Sequence, residues 1–185
     1  MTLTTEIRDK LVTVGTARVT AALSRHGLHG QSIQNARPLS PLQPVMVGPA
    51  FSQAIDACPP GAVLLAASAG LTLVTRLMKR GVAGMVTSGA VRDSADIARL
   101  GFPIYHQCGD VALLPGDIVL GDRHGLVVIP APLAEEIAEE ALEAAAFEDF
   151  LAEQVNMGHG IYGLYPPTSE RTLAEFATWR RLRGR

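Results

Sequence analysis

The stretch from Ala62 to Asp93 constrains the fold more than any other part of this chain. It opens with an apolar run, Ala62-Val63-Leu64-Leu65-Ala66, whose length and composition predict a buried strand. After the loop Ser68-Ala69-Gly70, residues 71–80 have helical spacing. Leu73, Val74, Leu77 and Met78 fall on one side, with Arg76, Lys79 and Arg80 off it. Gly81 stands where a left-handed C-cap is expected, and residues 83–87 return as a second apolar strand. Strand, helix and strand at this spacing predict a parallel crossover. The loops 68–70 and 88–93 then leave the carboxyl ends of neighbouring strands, the edge at which open α/β sheets bind ligands.

Those two loops carry the chemistry. Gly70 permits close backbone approach, and the amides of Leu71, Thr72 and Leu73 open a helix without intrahelical partners. A substrate carboxylate fits such a helix start, as does plain solvent or a cap from Ser68. The second loop ends on Arg92-Asp93. Arg92 suits a carboxylate or ketone oxygen and an enolate forming from it, and Asp93 suits a hard divalent ion. The competing account makes Asp93 or Ser94 a cap for a short helix over 95–100, with Arg92 in a surface ion pair.

Elsewhere the chain predicts short helices near 5–12 and 16–26, the second ending at Gly27, and a Pro-rich stretch over 37–44 leading into a strand over 45–51. A strand over 102–105 follows the short helix, and 117–120 with 126–129 make a hairpin around a glycine-bounded tip. Apolar residues at steps of three and four, from Leu133 through Ile137, Ala141, Phe147 and Leu151 to Val155, predict a long helix over 132–155. Its other side is rich in glutamate. Glu148 is the exception, lying near the angle of Ala141, so it either reaches water or meets a partner. The apolar, Pro-stiffened segment 162–167 is expected to dock onto the body or a neighbouring subunit, ahead of a short helix over 170–179.

Composition narrows the class. With 185 residues, 48% apolar and 18% charged, the chain is expected to form one domain, 1–185, with a real core. A net charge of −2 and few aromatics argue against nucleic acid as a partner, and no run is long enough to span a membrane. The Arg-rich stretch 180–185 reads as a solvated terminus. Cys58 and Cys108 fit no metal-ligand spacing and read as reduced thiols, and residues 1–11 show no apolar signal segment, so a cytoplasmic location is expected. The histidines form no zinc motif, and there is no P-loop, complete dinucleotide fingerprint or nucleophile elbow.

The runs GVAGMVTSGAVRD, IARLGFPIY and PGDIVLGDRHGLVVIP, with the ending GHGIYGLYPP, together resemble the RraA-like family. That family includes the regulator of ribonuclease activity A and class II 4-hydroxy-4-methyl-2-oxoglutarate aldolases. The likeness runs from about Val12 to Arg181. It implies a swivelling β/β/α sandwich with a parallel βαβ core and a long C-terminal helix, assembled as a trimer or a hexamer with sites at subunit interfaces. In the aldolase members, a magnesium or manganese ion is held by the acid matching Asp93. The arginine matching Arg92 holds the pyruvoyl oxygen, and amides matching Thr72 and Leu73 hold the carboxylate. A glutamate from the neighbouring subunit's C-terminal helix joins them, and Glu148 is its match here. The implied activity is a lyase that cleaves or decarboxylates a small anionic 2-oxo acid through a metal-stabilised enolate.

The chain departs from that pattern in ways that bear on chemistry. Aldolase members carry an acid after the helix-start glycine; here the pair is Gly70-Leu71, and another commonly acidic position is Ser88. A stretch that usually supplies a helix between Phe51 and Cys58 is missing, and a longer region is reduced to HQCGDVALL over 106–114. Asp110, Asp122 and Glu148 are the acids available to replace the lost one. Two alternatives therefore stand beside the metal-assisted lyase: a metal-independent enzyme acting on a different, less polar substrate, and a non-catalytic trimer that binds a protein partner as the ribonuclease regulators do.

Overall fold

The computed structural model describes residues 3–109, 113–162, 164 and 169–184. The chain begins with α1 (Thr5–Arg25), whose first turn is capped by the Thr4 hydroxyl accepting from the Ile7 amide at 3.3 Å. Gly15, at φ 73°, breaks this helix into the two halves that the sequence predicts. The second half receives a cap from far away: Asp122 accepts from the Thr16 amide and from the Thr16 hydroxyl, each at 2.8 Å.

The strands follow as β1 (Arg37–Pro38), β2 (Met46–Phe51), β3 (Val63–Ala66), β4 (Gly84–Thr87), β5 (Ile104–His106), β6 (Ile118–Asp122) and β7 (Gly125–Ile129). Between them lie α2 (Leu71–Lys79) and α3 (Ser94–Leu100), and after them α4 (Ala134–Asn156) and α5 (Glu170–Leu182). One sheet runs β1-β5-β4-β3-β2-β6-β7. Strands β2, β3, β4 and β5 are parallel, so the predicted crossover forms, while β6 and β7 make the predicted antiparallel hairpin. Only a single 3-10 turn, Ile55–Ala57, occupies the shortened connection between β2 and β3.

The sheet curls until its ends nearly meet. Residues 31–33 bond to β7, with Ile33 donating to the Leu126 carbonyl and Val128 to the Gln31 carbonyl, each at 2.9 Å. A few residues on, β1 pairs with β5. One extended segment thus spans the two edges and covers backbone groups that would otherwise stand open. The inner face holds Met46, Val63, Tyr105, Val119 and Val128, all buried. Outside, α1 and α4 bury Leu11, Leu23 and Ile137 against Val47, Leu120 and Ile129, and α2 with α3 covers the β3–β5 side through Val74, Leu77 and Ile97. The chain is therefore the mixed α/β sandwich expected, with its long C-terminal helix in place.

The charged side chains of α4 and of the terminus are paired. Glu148, which the sequence leaves open between water and a partner, meets Arg18 at 2.8 Å, and together with Lys10 on Glu139 and Arg25 on Glu140 this fixes α1 against α4. The basic terminus is likewise tied down, with Arg180 on Glu143 at 2.9 Å and Arg183 on Glu153 at 2.8 Å, its guanidinium 4.5 Å from the Trp179 ring. Helix α5 accordingly continues beyond the predicted 179 to Leu182. Most of the segment expected to dock, 162–167, lies outside the described residues; within it Leu164 is buried and Tyr162 exposed. Asp110 also lies outside them. Among the described residues no helix is long and apolar enough to cross a membrane.

Candidate functional site

The loops that follow β3 and β4 are joined to each other by backbone bonds. Ala69 donates to the Ala90 carbonyl and its own carbonyl accepts from Arg92, both at 3.0 Å, forming a parallel bridge beyond the ends of the strands. Their approach depends on Gly89, where a Cβ would sit 1.8 Å from the Ala67 carbonyl oxygen. This extension of the ladder delivers Arg92 and Asp93 to the start of α2.

At Gly70 the backbone is extended and any residue could adopt it, so the glycine matters for space. A Cβ there would meet only Arg92, 3.6 Å from Nη2 and 3.9 Å from Nε. The guanidinium therefore lies against the bare backbone that opens α2. Among the described residues it has no hydrogen-bond or ion-pair partner, so the surface ion pair considered for it does not form. The amides of Thr72 and Leu73 have no acceptor either, while Val74 closes the first intrahelical bond to Gly70 at 3.0 Å.

Asp93 occupies the N-cap position of α3 but does not cap it. Its carboxylate turns the other way and accepts from the Leu71 amide at 3.4 Å, a long bond by normal standards. That turn is made by a left-handed backbone, φ 57° and ψ 34°, which aspartate tolerates better than most residues. Ser68 makes no cap to α2.

These groups surround one cavity of about 440 Å³, lined by Gly70, Leu71, Thr72, Leu73, Arg92 and Asp93 together with Ile55, Ser68, Ala69 and Arg76. Every residue proposed from the two loops is thus in one place. Two partners were not visible in the sequence: Ile55, from the shortened connection, and Arg76, from the second turn of α2. Arg76 was legible only as a residue off the apolar side of its helix.

The other candidates lie elsewhere. Ser88 lines a separate cavity of about 370 Å³ with Thr87 and Cys108. Burial pushes the Cys108 thiol up, making it a poor nucleophile there. Glu148 and Asp122 line a third cleft, of about 630 Å³, with Arg18 and His124, and that cleft shares no residue with the Arg92 cavity. Within one chain Glu148 is the partner of Arg18, and Asp122 is the cap of Thr16.

The donor set of a single chain does not fit a divalent ion. Among the described residues Asp93 is the one carboxylate lining the cavity and it already accepts from an amide, while the Leu71 side chain offers no oxygen. Among the described residues no three histidine, cysteine or acidic side chains come together as a ligand group. Magnesium depends on several oxygens to orient its waters, and one is a poor holder. What the cavity does present is a free guanidinium and free helix-start amides, a receptor for an anionic group beside a polarisable oxygen.

The curled α/β sheet, with Arg92 and the start of α2 at its carboxyl edge, defines the class. The chain belongs to the RraA-like family: the family model described as Aldolase/RraA matches residues 4–108. A Halalkalibacterium halodurans protein with the provisional name 4-hydroxy-4-methyl-2-oxoglutarate aldolase is 30% identical over 89 residues, 37% of this chain and 42% of its own. An uncharacterized protein of Methanocaldococcus jannaschii is 31% identical over 102 residues, 44% of this chain and 49% of its own. The matches thus span under half the length of these relatives. Among solved structures, an uncharacterized Pseudomonas syringae protein superposes with a TM-score of 0.76 at 19% identity, over 89% of this chain and 99% of its own. Streptomyces coelicolor RraAS2, described as an unusual member of the RNase ES inhibitor RraA protein family, gives 0.72 at 25% identity, over 81% and 97%.

Proposed function

We propose that this chain is a carbon–carbon lyase for a small 2-oxo acid. The observation that carries the reading is the Arg92 guanidinium facing Gly70, without a partner among the described residues, beside the Thr72 and Leu73 amides, which likewise have none there. The amides hold the substrate carboxylate and Arg92 the adjacent 2-oxo oxygen. The C3–C4 bond breaks, C4 leaving in carbon dioxide from oxaloacetate or in a carbonyl compound from a 4-hydroxy-2-oxo acid, and the electron pair passes toward that oxygen, so that the enolate lies against the Arg92 cation. One preorganised donor of this kind is worth about 3 kcal/mol in the transition state, or roughly a hundredfold in rate. Water then protonates C3 to give pyruvate, and the hydroxyl proton of a 4-hydroxy substrate passes to water as its carbonyl forms.

The single carboxylate and the apolar Leu71 favour turnover that does not depend on magnesium or manganese. Asp93 is the side chain on which such an ion would depend if one takes part. A role for Glu148 at this cavity requires a second copy of the chain, because its own copy commits it to a different cleft; assembly as a trimer or hexamer belongs to the same proposal. Binding to a ribonuclease without catalysis is the second reading, supported by the likeness to the Streptomyces protein.

Pyruvate release from oxaloacetate and from 4-hydroxy-2-oxo acids decides among these readings, measured with manganese and with chelator. The expected result is turnover that survives chelation and falls about a hundredfold in Arg92→Ala. Turnover strictly dependent on manganese, and raised by Leu71→Asp, returns the metal-assisted form. No turnover on any of them, with a stable complex formed on a ribonuclease, favours the second reading.

A further inference from the structure

The Arg92 cavity contains a second guanidinium that the proposed reaction does not use. Arg76 stands one helical turn beyond Thr72 and three residues beyond Leu73, so it shares their side of α2. Helical side chains lean toward the amino end, the end of α2 at which the free amides lie. It lines the same cavity as Arg92.

Its one contact is a single bond from Nε to Asp56 Oδ1 at 3.0 Å. Among the described residues neither Nη1 nor Nη2 has a partner, so the two nitrogens that make a bidentate grip remain uncommitted. The pair is open to water, with 57% of the Arg76 side chain and 76% of the Asp56 side chain exposed, and such pairs are weak and readily exchanged. Asp56 sits in the 3-10 turn of the shortened β2–β3 connection, next to Ile55, which also lines the cavity. Leu71 and Leu73 line the same cavity and give it apolar surface.

The geometry points to Arg76 as the specificity-determining residue for a second acidic group on the substrate, carboxylate or phosphonate, separated from the 2-oxo acid end by a short apolar linker. This rests on the reading in which Arg92 and the α2 amides hold the 2-oxo acid. Asp56 occupies Arg76 in the absence of that group and gives way to it. Two cations and a helix start then meet two anionic ends in a cavity that Leu71 and Leu73 also line.

The test compares binding of 2-oxoglutarate with 2-oxopentanoate, which has the same chain length and no distal acid, by titration calorimetry on the full chain. The parent is expected to prefer 2-oxoglutarate at least tenfold. Arg76→Gln is expected to erase that preference while changing 2-oxopentanoate affinity less than twofold, and Asp56→Asn to strengthen 2-oxoglutarate two- to threefold. Phosphonopyruvate, tested alongside, distinguishes a phosphonate-reading from a carboxylate-reading site by which ligand loses more in Arg76→Gln. If both oxo acids bind, both are lost in Arg92→Ala, and Arg76→Gln leaves the preference intact, the assignment of Arg76 is overturned and the 2-oxo acid reading stands. If neither binds to the parent, the reading and the assignment fall together.

Discussion

The Leu71 amide donates to the Asp93 carboxylate at 3.4 Å, across 22 positions of sequence, and this bond decides what each residue is free to do. It gives α2 the cap that Gly70 and Ser68 do not supply, and it places a negative charge beside the Arg92 cavity. An anion entering that cavity meets the like charge of Asp93. Asp93→Asn keeps an acceptor for Leu71 and a residue that tolerates the left-handed backbone. Its stability should change by less than about 1 kcal/mol. Removal of one exposed unit charge near the ligand is worth about 0.5–1 kcal/mol, so oxalate in chelator should bind two- to fivefold tighter. Calorimetry checks this, and weaker oxalate binding in the variant shows that Asp93 assists the anion.

Gly89 tests how the site is assembled. Its missing Cβ would lie 1.8 Å from the Ala67 carbonyl oxygen, a rigid backbone atom that cannot step aside. Gly89→Ala must push the two loops apart and break the bridge that sets Arg92 against Gly70. Overpacking of this kind costs about 1–3 kcal/mol. Thermal melts should show the loss, and oxalate affinity should fall with it. A variant that melts like the parent and binds oxalate equally well separates the site from this contact.

Much of this arrangement was legible in the sequence because it is local. The crossover, the hairpin and the long helix each follow from periodicity and a nearby glycine, and the crossover alone predicts that Gly70 and Arg92 share an edge. What was not legible depends on partners distant along the chain. The two-residue β1 and the bridge of residues 31–33 to β7 have no strand pattern, since their backbone groups pair only once the sheet curls. Asp122 capping Thr16, Glu148 meeting Arg18 and Arg76 meeting Asp56 are likewise products of tertiary packing. The cap considered for Asp93 failed for a related reason: its left-handed backbone aims the carboxylate at a different helix.

Helices α1 and α4 should loosen in acid through Glu140. Burial pushes this carboxyl up, but hydrogen bonds from Arg25 and His26, with the Arg25 charge, outweigh burial and hold it below the ordinary carboxylate range. A carboxylate whose folded value is depressed contributes stability above its unfolded value and loses it as pH falls through the folded one. The melting temperature should therefore drop on acidification below about pH 4, and Glu140→Gln should be less stable than the parent at pH 7. The gap between the two should close in acid. Parallel pH profiles, with a constant gap, contradict the assignment.

The α4–α5 contact is a small core of its own. Phe150, Phe176 and Trp179 form a buried cluster separate from the clusters around the sheet, with Phe147 edge-on to Phe176 at 4.9 Å between ring centres. Because this cluster shares no buried residue with the main core, damage to it should stay local. Truncating a packed phenylalanine costs about 3–5 kcal/mol, more than a 13-residue helix on the surface can lose and remain docked. In Phe176→Ala, the amides of α5 should exchange with deuterium at nearly unprotected rates. Those of β2, β6 and β7 should keep their protection, and the main melting transition should shift little. Uniform loss of protection across the sheet shows instead that α5 is integral to the folding of the whole chain.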